Sequence, residues 1–336
     1  MTFSRTLGEI LGGGAMSEAA SHDLIGTLMD GGLSPVQSAA LLTAIAARGE
    51  NLDEVVGAAR AMRERSVRVN HGLGAVADVC GTGGDGAGTI NVSTIAAFIV
   101  AAAGVPVAKH GNRAASGTCG SADVLEACGM PLNDGPACAA RSLEESNFAF
   151  MFAPAYHPAM RNVAPVRRDL GVRTLFNVLG PLTNPAGATH QVIGVARESH
   201  LELLGEALRR LGTVRGAVVY GSGIDEVAGH RPSHVYEVTQ AGGARYVLDP
   251  EAYGIRVPLG EITTATRAEA ERAFISILQG ERSGRADVVA LNAGLALYVF
   301  GAAADIAEGL DIARRTQASG AGYELFEGIQ TLEKTA

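Results

Sequence analysis

AVADVCGTGGDGAGTINVSTIAAFIVAAAGVPVAKH, residues 75–110, holds the pattern that decides the fold. Val76–Cys80 is a short apolar β-run and a glycine-rich loop follows. Val92–Ala103 reads as a buried helix closed by Gly104, and Val105–Ala108 is the next strand. That is a βαβ unit. Downstream, Ser121 caps a helix running through Glu126 to Gly129 and Phe148–Phe152 reads as strand. Val192–Val195, His200–Leu211 and Ala217–Tyr220 then repeat the alternation, which predicts a largely parallel sheet with helices on both faces. Upstream, as far as Arg65, the periods are helical: Leu24, Leu28 and Met29 form one stripe, and Leu41, Leu42 and Ile45 another. Ser34 before Pro35 marks an N-cap, and Asn51 with Glu54 resembles a capping box. About four helices make this small unit. Between Pro158 and Gly180 the chain turns helical and basic, then meets Gly180-Pro181-Leu182-Thr183-Asn184-Pro185, where it is expected to return to the helical unit.

The chain has 336 residues, enough for two domains or one large α/β unit with an appendage. With 27 basic and 35 acidic residues the net charge is −8, which argues against a nonspecific binder of nucleic acid or anionic lipid. A phosphate-bearing ligand must be held by local features instead. Glycine reaches 44 residues without a G-X-Y period, so tight turns replace a collagen or linker reading. Cys80, Cys119, Cys128 and Cys138 show neither a metal-finger spacing nor a disulfide framework, and a reducing compartment follows. Met1–Leu11 carries Arg5 and Glu9 and is no secretory signal. Ile95–Ala108 and Val288–Ala304, the second interrupted by Asn292, are too short to span a membrane and read as core. The protein is expected in the cytoplasm, with no nucleic acid or membrane partner.

Four stretches carry chemistry. Gly81-Thr82-Gly83-Gly84-Asp85-Gly86 joins the first strand to a helix opening at Asn91-Val92-Ser93-Thr94, and its backbone N–H groups with the helix start form a phosphate cradle. An ordinary glycine-rich turn is the alternative. Gly81, Gly83 and Gly86 also match a dinucleotide fingerprint, but the second strand ends in Lys109-His110 rather than an acid. Asp85 suits a sugar hydroxyl or a metal-bound water. Lys109 to Gly117 follows at the mouth of the second strand, where Lys109 can neutralise phosphate. Asp225-Glu226, in a loop beyond the strand ending at Tyr220, offers two carboxylates to one Mg²⁺ or stands as solvated surface. Ala153 to Met160, with His157, leads to a helix bearing Arg161, Arg167 and Arg168 that suits a negatively charged co-substrate.

Together with Gly120 to Glu126, Pro165-Val166-Arg167 and Phe176 to Pro185, these stretches resemble the anthranilate phosphoribosyltransferase family of tryptophan biosynthesis over most of the chain, to at least Tyr236. The resemblance implies a nucleoside phosphorylase/phosphoribosyltransferase-like architecture: a small helical domain, residues 1–70 joined by about 164–185, hinged to a large α/β domain, residues 71–163 and 186–336. A homodimer would form through the helical domains. Phosphoribosyl pyrophosphate would be held by Gly81, Gly84, Asp85, Thr89, Asn91, Val92, Ser93, Thr94, Lys109, His110, Gly111, Asn112, Arg113, Ala114, Ala115, Ser116, Gly117 and Ser121. Anthranilate would meet Gly81, Asn112 and Arg167, with His157 lining the approach. Mg²⁺ would take Ser93, Asp225 and Glu226, and Lys109, Asp225 and Glu226 would be the catalytic groups. Tyr220 stands where the family usually has His, and Gly117 and Cys119 where it often has Ser. The last hundred residues fit as core helices.

Departure of pyrophosphate from an anomeric carbon builds positive charge on carbon and negative charge on the leaving group, so the chemistry needs preorganised countercharge more than a nucleophilic side chain. That agrees with the lack of a triad. A pyrimidine nucleoside phosphorylase shares part of the Arg113–Glu126 signature, and a noncatalytic nucleic-acid-binding relative and a nicotinamide dehydrogenase are further alternatives; the Asp85-bearing loop and Lys109-His110-Gly111-Asn112 favour the transferase.

Overall fold

Helices α1 (Phe3–Leu11), α2 (Glu18–Met29), α3 (Pro35–Arg48) and α4 (Leu52–Glu64) open the chain. Their starts are set locally. Ser34 accepts from the Gln37 N–H while the Gln37 side chain accepts from the Ser34 N–H, and Asn51 and Glu54 make the same reciprocal pair. The computed structural model describes residues 3–114, 119–132 and 135–334.

The α/β part begins with β1 (Ala77–Gly81), α5 (Val92–Ala102), β2 (Val107–Gly111), α6 (Ser121–Ala127), α7 (Pro136–Ser146) and β3 (Phe148–Phe152). A basic excursion follows, with α8 (Ala153–Tyr156), a 3₁₀ turn at Pro158–Asn162, α9 (Ala164–Leu170) and α10 (Phe176–Leu179). The chain re-enters the sheet with β4 (His190–Gly194), α11 (His200–Arg210), β5 (Arg215–Tyr220), β6 (Ser233–Thr239) and β7 (Gly242–Leu248). It closes with α12 (Arg267–Leu278), α13 (Gly284–Phe300), α14 (Ile306–Ala318) and α15 (Ala321–Lys334). The sheet order is β3-β2-β1-β4-β5-β6-β7, parallel from β3 to β5 and antiparallel in the β6–β7 hairpin. The expected class, a helical unit with a larger α/β unit on a mostly parallel sheet, is borne out.

One sheet face is covered by α5, α12, α13 and α15, where Phe98 stacks on Phe148 at 4.1 Å and meets Phe274 and Phe326 edge-on at 5.6 Å each. The opposite face is covered by α11 and the N-terminal helices in one continuous cluster running from Ile25, Leu41 and Val56 to Ile193 and Val218. Val163, Leu175, Phe176 and Leu179 of the excursion join that same cluster, which gives the return of the chain its physical cause.

Three local expectations need correcting. The second strand starts at Val107, not Val105: Pro106 has no N–H for the ladder, and Val105 closes α5 by donating to Val100 O, so Lys109, His110 and Gly111 lie inside the strand. The cap of α6 is Gly120 rather than Ser121, and Asp123 accepts from the Gly120 N–H at 2.9 Å. The last hundred residues are not all helix, because Gly242–Leu248 forms the edge strand of a hairpin whose outer face is exposed. Among the described residues no helix is long and apolar enough to cross a membrane, and none of the four cysteines is in a disulfide.

Candidate active site

The strand order reverses between β1 and β4, and ligands of open parallel sheets bind outside the carboxyl ends at such a point. Gly81 ends β1 and Gly194 ends β4, side by side in register. The loop after β5 crosses them. A Cβ at Gly194 would overlap the Asp225 carbonyl and one at Gly81 would overlap the Asp225 carboxylate, so both glycines are what lets this loop lie on the strand ends. Asp225 then accepts from the Gly83 N–H at 2.7 Å, and Asp85 accepts from the Asp225 N–H at 3.3 Å and from the Ala87 N–H at 3.1 Å. The glycine loop and the acidic loop are thus one structure, joined across 142 residues.

Glu226 accepts from the Ser93 N–H, in the first turn of α5, at 3.1 Å, where the helix start favours negative charge. Beneath that turn Lys109 is completely enclosed. Its ammonium donates to Val79 O at 2.6 Å and to Ser93 Oγ at 3.4 Å. The expectation of a loop lysine reaching a phosphate directly is therefore revised: the ammonium is enclosed beneath Ser93, with Val79 O and Ser93 Oγ as its partners. Burial pushes the ammonium below its ordinary value, opposed by Asp78, Cys80, Glu226 and Asp225. Burial, then the charge of Asp85, pushes Asp225 up to about 7; burial, then Asp225, pushes Glu226 up to about 8. Carboxylates that resist ionisation together are a donor set that a divalent cation satisfies. Hard oxygens of Asp225, Glu226 and Ser93 suit Mg²⁺, which retains waters and phosphate oxygens in its shell. Among the described residues no group of three or more His, Cys, Asp or Glu side chains stands at metal-holding spacing, so the protein fits as a partial rather than a complete cage.

The remaining predicted residues divide between the start of α5 and the start of α6, which Thr94 and Ser121 join. Thr94 Oγ1 donates to Ser121 Oγ at 3.0 Å, Asn91 donates to the Cys119 carbonyl at 3.0 Å, and Val92 is buried. Thr89 bridges to Thr263. Asn112 O accepts from the Ala122 N–H at 3.2 Å, the Ala114 N–H donates to Asp123 at 2.9 Å, and Arg113 is paired with Glu126 and Asp123. Arg113 therefore reaches the rim already engaged. Ala115, Ser116 and Gly117 lie outside the described residues. Tyr220 is half-buried at the end of β5 against the helical-side core.

A second group lies under the excursion. His110 and His157 are buried with ring centroids 5.0 Å apart, and His110 Nδ1 lies 3.2 Å from the Gly180 carbonyl, which makes Nδ1 the protonated nitrogen and leaves a lone pair on Nε2. Burial, helped by His157, holds His110 down at about 3; burial holds His157 at about 4 against a small pull from the Thr183 backbone. Both rings are neutral at physiological pH. Among the described residues neither ring nitrogen of His157, nor His110 Nε2, has a partner at full hydrogen-bond geometry. Arg167 leans over the Phe176 ring at 5.7 Å and donates to Asn177 Oδ1 at 3.5 Å.

Asn292 and Arg173 belong to the site without having been singled out for it. Buried Asn292 of α13 accepts from the Val227 N–H at 2.9 Å and donates to the Val227 carbonyl at 3.0 Å, fixing the residue after Glu226. Its only signal in sequence is a polar residue interrupting an apolar run. Arg173, one of several arginines in the excursion, donates to the carbonyls of Gly83 at 2.9 Å and Gly84 at 3.2 Å.

Comparison with known proteins covers nearly the whole chain. The glycosyl transferase family a/b domain matches residues 73–323, and the glycosyl transferase family helical bundle domain matches residues 5–66. The anthranilate phosphoribosyltransferase of Pelotomaculum thermopropionicum is 47% identical over 314 residues, 93% of this chain and 91% of the relative. That of Pyrobaculum aerophilum is 46% identical over 97% of this chain and 98% of its own. The crystal structure of anthranilate phosphoribosyltransferase from Thermus thermophilus superposes with a TM-score of 0.92 at 44% identity, covering 98% of this chain and 99% of that one. The Saccharomyces cerevisiae enzyme, solved in complex with PRPP and Mg, shares the fold at a TM-score of 0.90 and 23% identity, covering 99% of this chain and 98% of that one. Family models matched from residue 5 to residue 323, with relatives 44–47% identical over almost their full length, leave one conclusion: the chain belongs to the anthranilate phosphoribosyltransferase family.

Proposed function

We propose that this chain transfers the 5-phosphoribosyl group from phosphoribosyl pyrophosphate to the amine of anthranilate, giving N-(5-phosphoribosyl)anthranilate and pyrophosphate. The observation that carries it is the convergence, at the switch point, of the glycine loop, the start of α5 and the Asp225–Glu226 loop. The amine nitrogen forms the new bond to the anomeric carbon as the carbon–oxygen bond to pyrophosphate breaks, and the nitrogen then loses a proton. Loop N–H groups and the helix start hold the diphosphate where its negative charge grows, and enclosed Lys109 adds positive potential from below. Mg²⁺, held by Asp225, Glu226 and Ser93, would supply further charge neutralisation when bound. Arg167 faces the carboxylate of anthranilate, and neutral His110 and His157 form a dry, uncharged wall beside it. Gly81 and Asn112 complete that slot. Alignment of a neutral amine is the chief demand, so no side chain need act as nucleophile.

We assign residues 1–70 with about 164–185 to a helical domain and 71–163 with 186–336 to the α/β domain. The packing of Leu175, Phe176 and Leu179 among α2, α3 and α4 residues supports this division. A second copy would dock on the helical domain, where Leu11 and Val36 stand 71% and 79% exposed. Four thiols outside any disulfide agree with a cytoplasmic setting.

The test is an assay of purified protein with phosphoribosyl pyrophosphate, anthranilate and Mg²⁺, following loss of anthranilate fluorescence. Turnover is expected, and Asp225→Asn with Glu226→Gln should remove most of it while the fold survives. An amide variant with wild-type rates at every magnesium concentration would refute the metal assignment, and no turnover by the wild-type protein would refute the function.

A further inference from the structure

Arg173 belongs to the turn between α9 and α10, yet its guanidinium lies against the glycine loop, 89 residues away in sequence. Nη1 donates to both the Gly83 and Gly84 carbonyls. Gly84 has φ +75°, and a Cβ there would overlap Nη1, so loop and arginine fit only because this residue is glycine. In a planar trans peptide the N–H points opposite to the C=O. Holding the two carbonyls on the Arg173 side therefore turns the N–H groups of Gly84 and Asp85 the other way. Neither N–H donates to any described residue. The turn carrying Arg173 is itself braced: the Thr174 N–H donates to Asn177 Oδ1 at 2.9 Å, the same oxygen that Arg167 approaches.

We propose that Arg173 is a positioning residue for the sugar diphosphate: it grips the carbonyl side of the glycine loop so that the Gly84 and Asp85 N–H groups stay presented to the anion. This rests on the sugar donor binding at that loop. The grip of Arg173 removes an ordering cost that the diphosphate would otherwise meet on binding, so its effect falls on donor affinity rather than on the chemical step.

The experiment compares the full-length wild type with Arg173→Ala and Arg173→Lys, in Mg²⁺, by steady-state kinetics for each substrate and by calorimetric titration with phosphoribosyl pyrophosphate. Arg173→Ala is expected to raise both KM and Kd for the donor about tenfold, the loss of two modest hydrogen bonds. The change in kcat and in KM for anthranilate should be much smaller, and Arg173→Lys should recover part of the donor affinity. If the alanine variant does not fold, the lysine variant, with its single flexible ammonium in place of the fork, must still show a weaker donor Kd at an unchanged melting temperature. Donor affinity unchanged in the variants overturns the proposal, as does an equal loss for both substrates with a lowered melting temperature, which marks a merely structural arginine. Failure of the wild type itself to bind the donor would instead remove the site assignment beneath it.

Discussion

Asn292 mirrors a backbone. Its carboxamide oxygen takes the Val227 N–H while its amide nitrogen gives to the Val227 and Val288 carbonyls, all buried where α13 meets the loop after β5. A buried amide that completes a peptide's hydrogen bonds is stabilising only while both partners are present. Asn292→Ala should therefore leave the Val227 N–H and carbonyl buried and unpaired, costing about 2–4 kcal/mol. Because Val227 follows Glu226, the magnesium concentration for half-maximal rate should rise severalfold as well. Thermal unfolding and a magnesium titration of the rate check both parts; a lowered melting temperature with an unchanged magnesium dependence would confine Asn292 to stability. In sequence this residue is visible only as a blemish in an apolar helix, since the partner it serves lies 65 residues away. Lys109 shows the same limit: its identity was legible, but its enclosure under Ser93 was not, because strand register decides which way a side chain points.

Helices α2 and α4 are tied by His22, whose ring nitrogens meet Asp23 at 3.0 Å and Glu64 at 2.8 Å. Hydrogen bonds to those two carboxylates raise the His22 pKa above its ordinary 6.5. A raised folded value means that the stabilisation is fully present below pH 6.5 and is lost as pH climbs through the folded pKa. The pair is largely solvent-exposed, so the contribution is at most about 1 kcal/mol after screening. His22→Gln should lower the melting temperature by about 1 °C at pH 5.5 and leave it near the wild-type value at pH 8.5, and equal shifts at both values would show that the proton plays no part. At this scale the sequence was most readable. The caps at Ser34 and Asn51 depend on residues three apart, whereas the β6–β7 hairpin is hard to read because its edge strand, Gly242–Leu248, opens with two glycines and is mostly exposed.

Across the whole molecule the helical bundle and the sheet share one apolar cluster, and polar ties reinforce the join. Arg210 of α11 pairs with Glu18 and meets Asp53 at 2.6 Å, Arg60 donates to the Arg210 carbonyl at 3.0 Å, and Arg63 donates to the Leu211 carbonyl at 3.2 Å. Removing residues 1–70 would strip Ile25, Leu28, Leu41, Ile45 and Val56 from the face formed by Ile193, Val218 and α11. A fragment of residues 71–336 is therefore expected to aggregate or bind a hydrophobic dye strongly, whereas the full chain unfolds in a single transition. A soluble, dye-silent fragment with native near-ultraviolet dichroism would show that the two parts are separate cores. By itself the sequence determined the alternation of strands and helices, the caps, the glycine loop and the presence of an acidic pair, since each is written in residues a few positions apart and read through local periodicity and backbone freedom. Only the tertiary structure decided that Asp225 lies on Gly81 and Gly194, that Lys109 is enclosed, and that Arg173 and Asn292 hold the loops from behind. Those contacts join positions from 16 to 144 residues apart, and which groups meet over such distances follows from the packing of the entire sheet and its two helical layers.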